Sequence, residues 1–253
     1  MNINLPKIIG HRGVKDLAPE NTIASLEESM RHNLKWIEVD VKVSKDNIPF
    51  LLHDDLLDRT TSGRGYPYNY LYKEIFRLDA GSWFNKKFSN VYPPTLEEVL
   101  IFCSENNMGL NIELKPNRGK EKENVNAIIS LINKKKLNNE YYFSSFDYIS
   151  LELMRKKMPN ATLGYLVGNI DENSLLNSII KDSLNLECFS IGFNIKLINR
   201  TLIKICKENN LKVTAYSKKN IEYNTALYLW TIGVDSVFID NPIYYKKVLD
   251  NCY

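Results

Sequence analysis

The chain has 253 residues, of which 44% are hydrophobic and 25% charged, and its 33 basic and 30 acidic side chains leave a formal charge of +3. That length suits a single α/β domain with a sizeable core, and so small a charge gives no electrostatic argument for a nucleic-acid partner. No apolar run reaches the roughly 18 residues of a membrane span, and no signal peptide is visible, so a cytoplasmic protein is expected.

Taken in order, Lys7-Ile8-Ile9 reads as a short buried strand that runs into Gly10-His11-Arg12-Gly13. A helix through Ile23, Leu26 and Met30 follows, with Asn21 as its expected cap. Residues 36–43 alternate and are rich in β-branched side chains, and 48–53 form another extended segment across a Lys45-Asp46-Asn47 turn. From 54 to 94 the pattern breaks into Gly, Tyr, Asn and Pro, with one short helix near 72–78; a weakly patterned stretch of that length suggests a functional lid or an insertion. Regularity returns at Thr95, which with Glu98 forms a capping box, and the helix through Leu96, Val99, Leu100 and Cys103 leads to a strand at 110–114. Helix and strand then alternate: helix 125–135 and strand 141–144, helix 148–158 and strand 162–167, helix 174–181 and strand 188–193. Helix 200–209 and strand 212–216 follow, then helix 221–229 and strand 236–239, with a last helix after Pro242.

Eight strands, each followed by a helix, predict a (β/α)8 TIM barrel spanning 1–253 as a single domain, with 54–94 as a small insertion after the second strand. The doubly wound alternative lacks its GxGxxG turn. Cys103, Cys188, Cys206 and Cys252 show no CxxC spacing and are expected as free thiols, and the Lys134-Lys135-Lys136 run as a solvated helix end.

Barrel chemistry lies at the carboxyl ends of the strands. The first strand ends at His11-Arg12, and the extended segment before 54 ends at His53-Asp54. Glu38 and Asp40 lie two apart on one face of the second strand, as do Glu113 and Lys115 on the third. Three carboxylates in one barrel mouth repel unless a cation sits among them, and all-oxygen ligands suit Mg²⁺ or Ca²⁺ rather than zinc. The alternative is a structural network in which these acids pair with Lys115 and other cations. The chain has three histidines; His32 is expected at a solvated helix end, while His11 and His53 suit acid–base work.

These residues resemble the successive motifs of the glycerophosphodiester phosphodiesterase family. The similarity runs through His11-Arg12-Gly13, Pro19-Glu20-Asn21-Thr22, Glu38-Val39-Asp40, His53-Asp54, Leu57-Asp58-Arg59-Thr60-Thr61 and Ile112-Glu113-Leu114-Lys115-Pro116. It continues in Leu78-Asp79-Ala80-Gly81-Ser82-Trp83-Phe84, Pro94-Thr95-Leu96-Glu97-Glu98-Val99, Ser145-Phe146-Asp147, Gly233-Val234-Asp235 and Asp240-Asn241-Pro242. The resemblance implies metal-dependent hydrolysis of small-molecule glycerophosphodiesters to sn-glycerol 3-phosphate and an alcohol. It implies His11 and His53 as the acid–base pair, and Glu38, Asp40 and Glu113 as ligands of one divalent cation. Arg12 and Lys115 would face the phosphate. Departures fall at Leu56, at Ala215-Tyr216-Ser217, where the family's strand usually carries Trp, and in the closing motif before Asp240; they bear on substrate preference. The nearest rival is a lysophospholipase D meeting a membrane surface through Tyr66, Tyr68, Tyr70, Tyr72 and Trp83-Phe84, which otherwise pack the insertion onto the barrel. A catalytically silent scaffold is the third reading, opposed by the presence of both histidines and all three carboxylates.

Overall fold

The computed structural model describes residues 3–135, 140–168 and 173–249; Cys252 and Lys136 lie outside them. The second strand organises the rest. β2 (Trp36–Val43) is buried at all eight positions, so both of its faces must be covered. Ile37, Val39 and Val41 face the helices and join the main apolar core, whereas Trp36 joins a separate cluster with Ile3, Ile9, Tyr142 and Phe238 that plugs the barrel interior. The alternation of a strand thus sets the inward row as Trp36, Glu38, Asp40 and Lys42, apolar below and ionic above.

β1 (Ile8–Gly10) and β2 pair in parallel at Gly10 and Ile37. The ring continues through β4 (Gly109–Leu114), β5 (Tyr141–Ser145), β6 (Leu163–Val167), β7 (Ser190–Asn194), β8 (Lys212–Tyr216) and β9 (Ser236–Ile239), which returns to β1. This closed ring of eight parallel strands is the TIM barrel expected from the sequence. The extended segment at 48–53 is β3 (Pro49–Leu51), an antiparallel partner of β2 outside the ring. Close packing at the barrel floor needs Gly109, since a Cβ there would lie 2.1 Å from the Trp36 indole.

Helices α1 (Ile23–Arg31), α2 (Tyr72–Ile75), α3 (Leu96–Glu105), α4 (Glu121–Lys134) and α5 (Tyr148–Lys157) fall at the expected places, α4 beginning four residues early. So do α6 (Asn173–Asn185), α7 (Arg200–Glu208), α8 (Tyr223–Thr231) and the short α9 (Lys246–Leu249). Thr95 and Glu98 make the expected capping box on α3. The cap of α1, however, is Thr22, not Asn21. Asn21 is drawn away because its side chain accepts from the Asp40 N–H at 3.1 Å and donates to Asp40 Oδ2 at 2.8 Å, with its backbone left-handed at φ 56°. The 54–94 segment sits on β3 through a small core of its own, in which Phe50 and Leu52 meet Leu57 and Ile75. Cys103, Cys188 and Cys206 are buried free thiols. Among the described residues no helix is long and apolar enough to cross a membrane.

Candidate active site

The turn after β1 is shaped before any chemistry is added to it. Arg12 and Gly13 both take positive φ, at 53° and 83°, and a Cβ at residue 13 would collide with the Ser25 hydroxyl at 2.2 Å. That hydroxyl donates to the Arg12 carbonyl at 3.0 Å and accepts from the Val14 N–H at 2.8 Å, so α1 holds the turn shut. The Arg12 N–H is thereby aimed at Glu38 Oε2, 2.9 Å away.

Two imidazoles then face one cavity of about 480 Å³ at the carboxyl end of the barrel. His11 holds Nδ1 at 2.7 Å from Asp240 Oδ1, and the other oxygen of Asp240 is 3.2 Å from the Lys15 ammonium. His53 holds Nδ1 at 2.7 Å from Asp54 Oδ1, and Asp54 in turn accepts from Arg59. A carboxylate can only accept, so Nδ1 carries the proton in both rings and Nε2 is left as the free base. Burial lowers the pKa of both histidines from the ordinary 6.5, more than their carboxylate partners raise it.

Behind the histidines, Glu38, Asp40 and Glu113 are buried with one oxygen of each within 4.8 Å of the others. Lys115 Nζ lies 2.6 Å from Glu113 and 3.3 Å from Asp40, and Arg12 Nε lies 3.3 Å from Asp40. The structural network weighed from the sequence is therefore present, yet it is incomplete. Among the described residues three acids meet two cations here, and Glu38 Oε1 is buried with no hydrogen-bond partner. Burial and then the charge of Asp40 push the Glu38 carboxyl well above its ordinary range, and burial also raises Glu113. Burial disfavours the Asp40 anion as well, but Lys115 and Arg12 outweigh it and hold that carboxyl well below its usual value. All-oxygen donors at this spacing, one of them orphaned, fit a hard divalent cation.

Of the seven predicted site residues, His11, Arg12, Glu38, His53, Glu113 and Lys115 line the cavity, and Asp40 lies just behind them at 1% exposure. Tyr216, at the departure from the family pattern, forms part of the apolar wall with Phe146, Leu166 and Phe238, its hydroxyl donating to the Val167 carbonyl at 2.7 Å. Lys115 also sits 5.3 Å from the centre of the Phe146 ring. His32 pairs with Glu28 at the end of α1, away from the cavity. Sequence reasoning gave no role to Asp54, Asp240, Lys15 or Arg59. Asp54 and Asp240 stand in quoted motifs, and a carboxylate adjoining a strand-end histidine was the available signal for Asp54. Asp240 lies 229 positions from His11, and no local signal joins them.

The sequence model of the glycerophosphoryl diester phosphodiesterase family matches residues 11–244. A glycerophosphodiester phosphodiesterase of Caldanaerobacter subterraneus subsp. tengcongensis is 30% identical over 241 residues, covering 93% of this chain and 94% of its own. A solved phosphodiesterase of Oleispira antarctica, in complex with the product sn-glycerol-3-phosphate, is 34% identical with a TM-score of 0.89 over 98% of both chains. A glycerophosphodiester phosphodiesterase of Agrobacterium tumefaciens shares the fold at 23% identity, with a TM-score of 0.80 over 96% of this chain and 100% of its own.

Proposed function

This chain belongs to the glycerophosphoryl diester phosphodiesterase family, and we propose that it hydrolyses glycerophosphodiesters to sn-glycerol 3-phosphate and an alcohol by acid–base catalysis between His11 and His53. The observation that carries this reading is the pair of carboxylate-held imidazoles facing one cavity with Arg12, Lys115 and the acidic trio. The product held by the Oleispira antarctica enzyme supports glycerol 3-phosphate as the product here.

In this reading Arg12 and Lys115 draw the phosphodiester into the cavity and offset the charge that develops on its oxygens. One imidazole takes the proton of the glycerol 2-hydroxyl through Nε2 as that oxygen attacks phosphorus. The other must enter the step as an imidazolium, protonated on both nitrogens, and it gives its Nε2 proton to the departing alcohol oxygen, leaving a cyclic phosphate. Water then opens the ring with the two roles reversed. Direct attack by water is the competing route, and a cyclic product accumulating in His11→Ala or His53→Ala would decide between them. Glu38, Asp40 and Glu113 are the residues that would hold a divalent cation, Mg²⁺ or Ca²⁺, which supplies charge neutralisation at the phosphate.

The direct test is release of glycerol 3-phosphate from glycerophosphocholine with Mg²⁺, Ca²⁺ or EDTA. Divalent-dependent turnover is expected. No turnover on any glycerophosphodiester would sink the reading, and full turnover in EDTA would remove its metal part. A lysophospholipase D activity is the second reading, favoured by exposed Tyr66, Phe76 and Trp83 on the 54–94 segment. Tyr72 speaks against it, because its ring packs 6.2 Å from Phe50 and its hydroxyl donates to the Pro93 carbonyl. Failure to co-sediment with liposomes would remove the lipid reading.

A further inference from the structure

The guanidinium of Arg59 joins two parts of the site that arrive on different elements. Through Nε and Nη2 it donates to both oxygens of Asp54, at 2.6 Å and 2.9 Å. Through Nη1 and Nη2 it donates to both oxygens of Glu20, each at 2.8 Å. Asp54 holds His53 Nδ1, and Glu20 accepts from Arg12 Nη1 at 2.7 Å. Glu20 is 7% exposed and lies in the loop after β1; His53 and Asp54 follow β3. The line Asp54–Arg59–Glu20–Arg12 therefore alternates in charge without a gap, with the His53 imidazole hydrogen-bonded at its head. The Trp83 ring lies 5.9 Å from the guanidinium carbon.

Could Arg59 simply bind phosphate? It lines the cavity and is partly exposed, but these four bonds occupy most of its donors and direct them at carboxylates. A planar fork can hold two carboxylates in a fixed relation, which a lysine ammonium cannot do.

We propose that Arg59 is a positioning residue that fixes the His53 imidazole relative to the Arg12 guanidinium, so that proton transfer and phosphate binding are aligned by one side chain. The proposal rests on the roles given above to His53 and Arg12. Its energetic logic is that of an outer partner that orients a working group. Removing such partners costs about 10–100-fold in metal sites, and small misplacements of reacting groups cost about as much.

The test compares the wild-type enzyme with Arg59→Ala, Arg59→Lys, Asp54→Asn, Glu20→Gln and the double variants that combine Arg59→Ala with each of the last two. In Arg59→Ala kcat is expected to fall about 10–100-fold with KM little changed. Arg59→Lys recovers only part of that loss, and added methylguanidinium restores kcat in the alanine variant but not in the lysine one. Each double variant loses less than the product of its single losses, because the parts act as a unit. Unchanged kcat in a folded Arg59→Ala would overturn the proposal. So would a loss confined to KM, which marks a substrate contact, or losses that multiply independently. If Arg59→Ala does not fold, as judged by its melting curve, Arg59→Lys keeps the charge and decides on the same kcat and KM criteria. Wild-type enzyme inactive on every glycerophosphodiester removes the underlying reading; active wild type matched by Arg59→Ala removes this proposal alone.

Discussion

The two histidine arms repeat one arrangement, an imidazole on a carboxylate that a cation also meets, on different supports. On one side His11, Asp240 and Lys15 stand on the closing strands, with Asp240 2% exposed. On the other, His53, Asp54 and Arg59 stand beyond β3, with Asp54 29% and Arg59 43% exposed. The buried arm makes do with a single lysine contact at 3.2 Å. The outer arm has a guanidinium with two bonds to the carboxylate, at 2.6 Å and 2.9 Å. Exposure weakens an ion pair and lets side chains wander, so the outer arm gets from bidentate geometry what the inner arm gets from packing. Orientation can be built from a core or from a fork.

Removing the imidazoles tests the chemistry common to both arms. His11→Ala and His53→Ala are each expected to lower kcat by about 10²–10⁴-fold, measured as glycerol 3-phosphate release. A variant that keeps near-wild-type kcat would take that histidine out of the mechanism. Next, the carboxylates separate the arms. Asp240→Asn and Asp54→Asn should each cost about 10–100-fold in kcat, but only Asp240→Asn should also lower the melting temperature clearly, since it alters a carboxylate that is 2% exposed. Equal melting temperatures would erase the proposed contrast.

The acidic trio offers a readout independent of turnover. Adding Mg²⁺ or Ca²⁺ at about 100 times its dissociation constant at pH 8 should stabilise the fold by about 2.7 kcal/mol, seen as a rise in melting temperature, and the same ion concentration should give a smaller rise at pH 5. The sign follows from Glu38 and Glu113, whose raised pKa values keep them protonated at lower pH, where they cannot ligate. Without the ion the same shift works in reverse: their protonation contributes stability that is present below pH 4.5 and lost as pH rises through the folded values. Glu38→Gln should abolish the thermal response, and a response that survives it would relocate the site.

The smallest effect concerns the acid limb of kcat/KM. Burial lowers both imidazoles from 6.5, so whichever acts as base is mostly neutral at pH 6.5, and the limb should fall below that value. A limb above pH 6.5 would mean that the carboxylates, not burial, set the titration. For stability, the neutral, partly buried rings contribute fully above pH 6.5, and that contribution is lost as pH falls through the folded values.

The barrel was legible because each of its strands is a local pattern: β2 announces itself by alternation, α3 by its capping box. The residues proposed to carry the chemistry could be named from the sequence too, since they sit at strand ends and in motifs, and the fold gathers them around one cavity. What local pattern could not convey is who orients them. Asn21 looked like a helix cap because the competing Asp40 carboxylate lies 19 positions away, on another strand. Arg59 looked like one letter of a motif because its second carboxylate, Glu20, is 39 positions earlier. Such pairings are products of ring closure and chain crossing, and no window of periodicity contains them.

The pairing of β1 with β9 gives the chain a built-in order of events. Everything from His11 to Lys115 lies in the first half of the sequence, but Asp240 follows β9, and the His11 N–H donates to the Ile239 carbonyl at 2.9 Å. During synthesis the early half thus carries the proposed reactive groups with the His11 imidazole still without its carboxylate. If His11 works as proposed, the last barrel strand to be made supplies what aims it, and competence arrives with the closed ring, as a latch rather than a gradual gain.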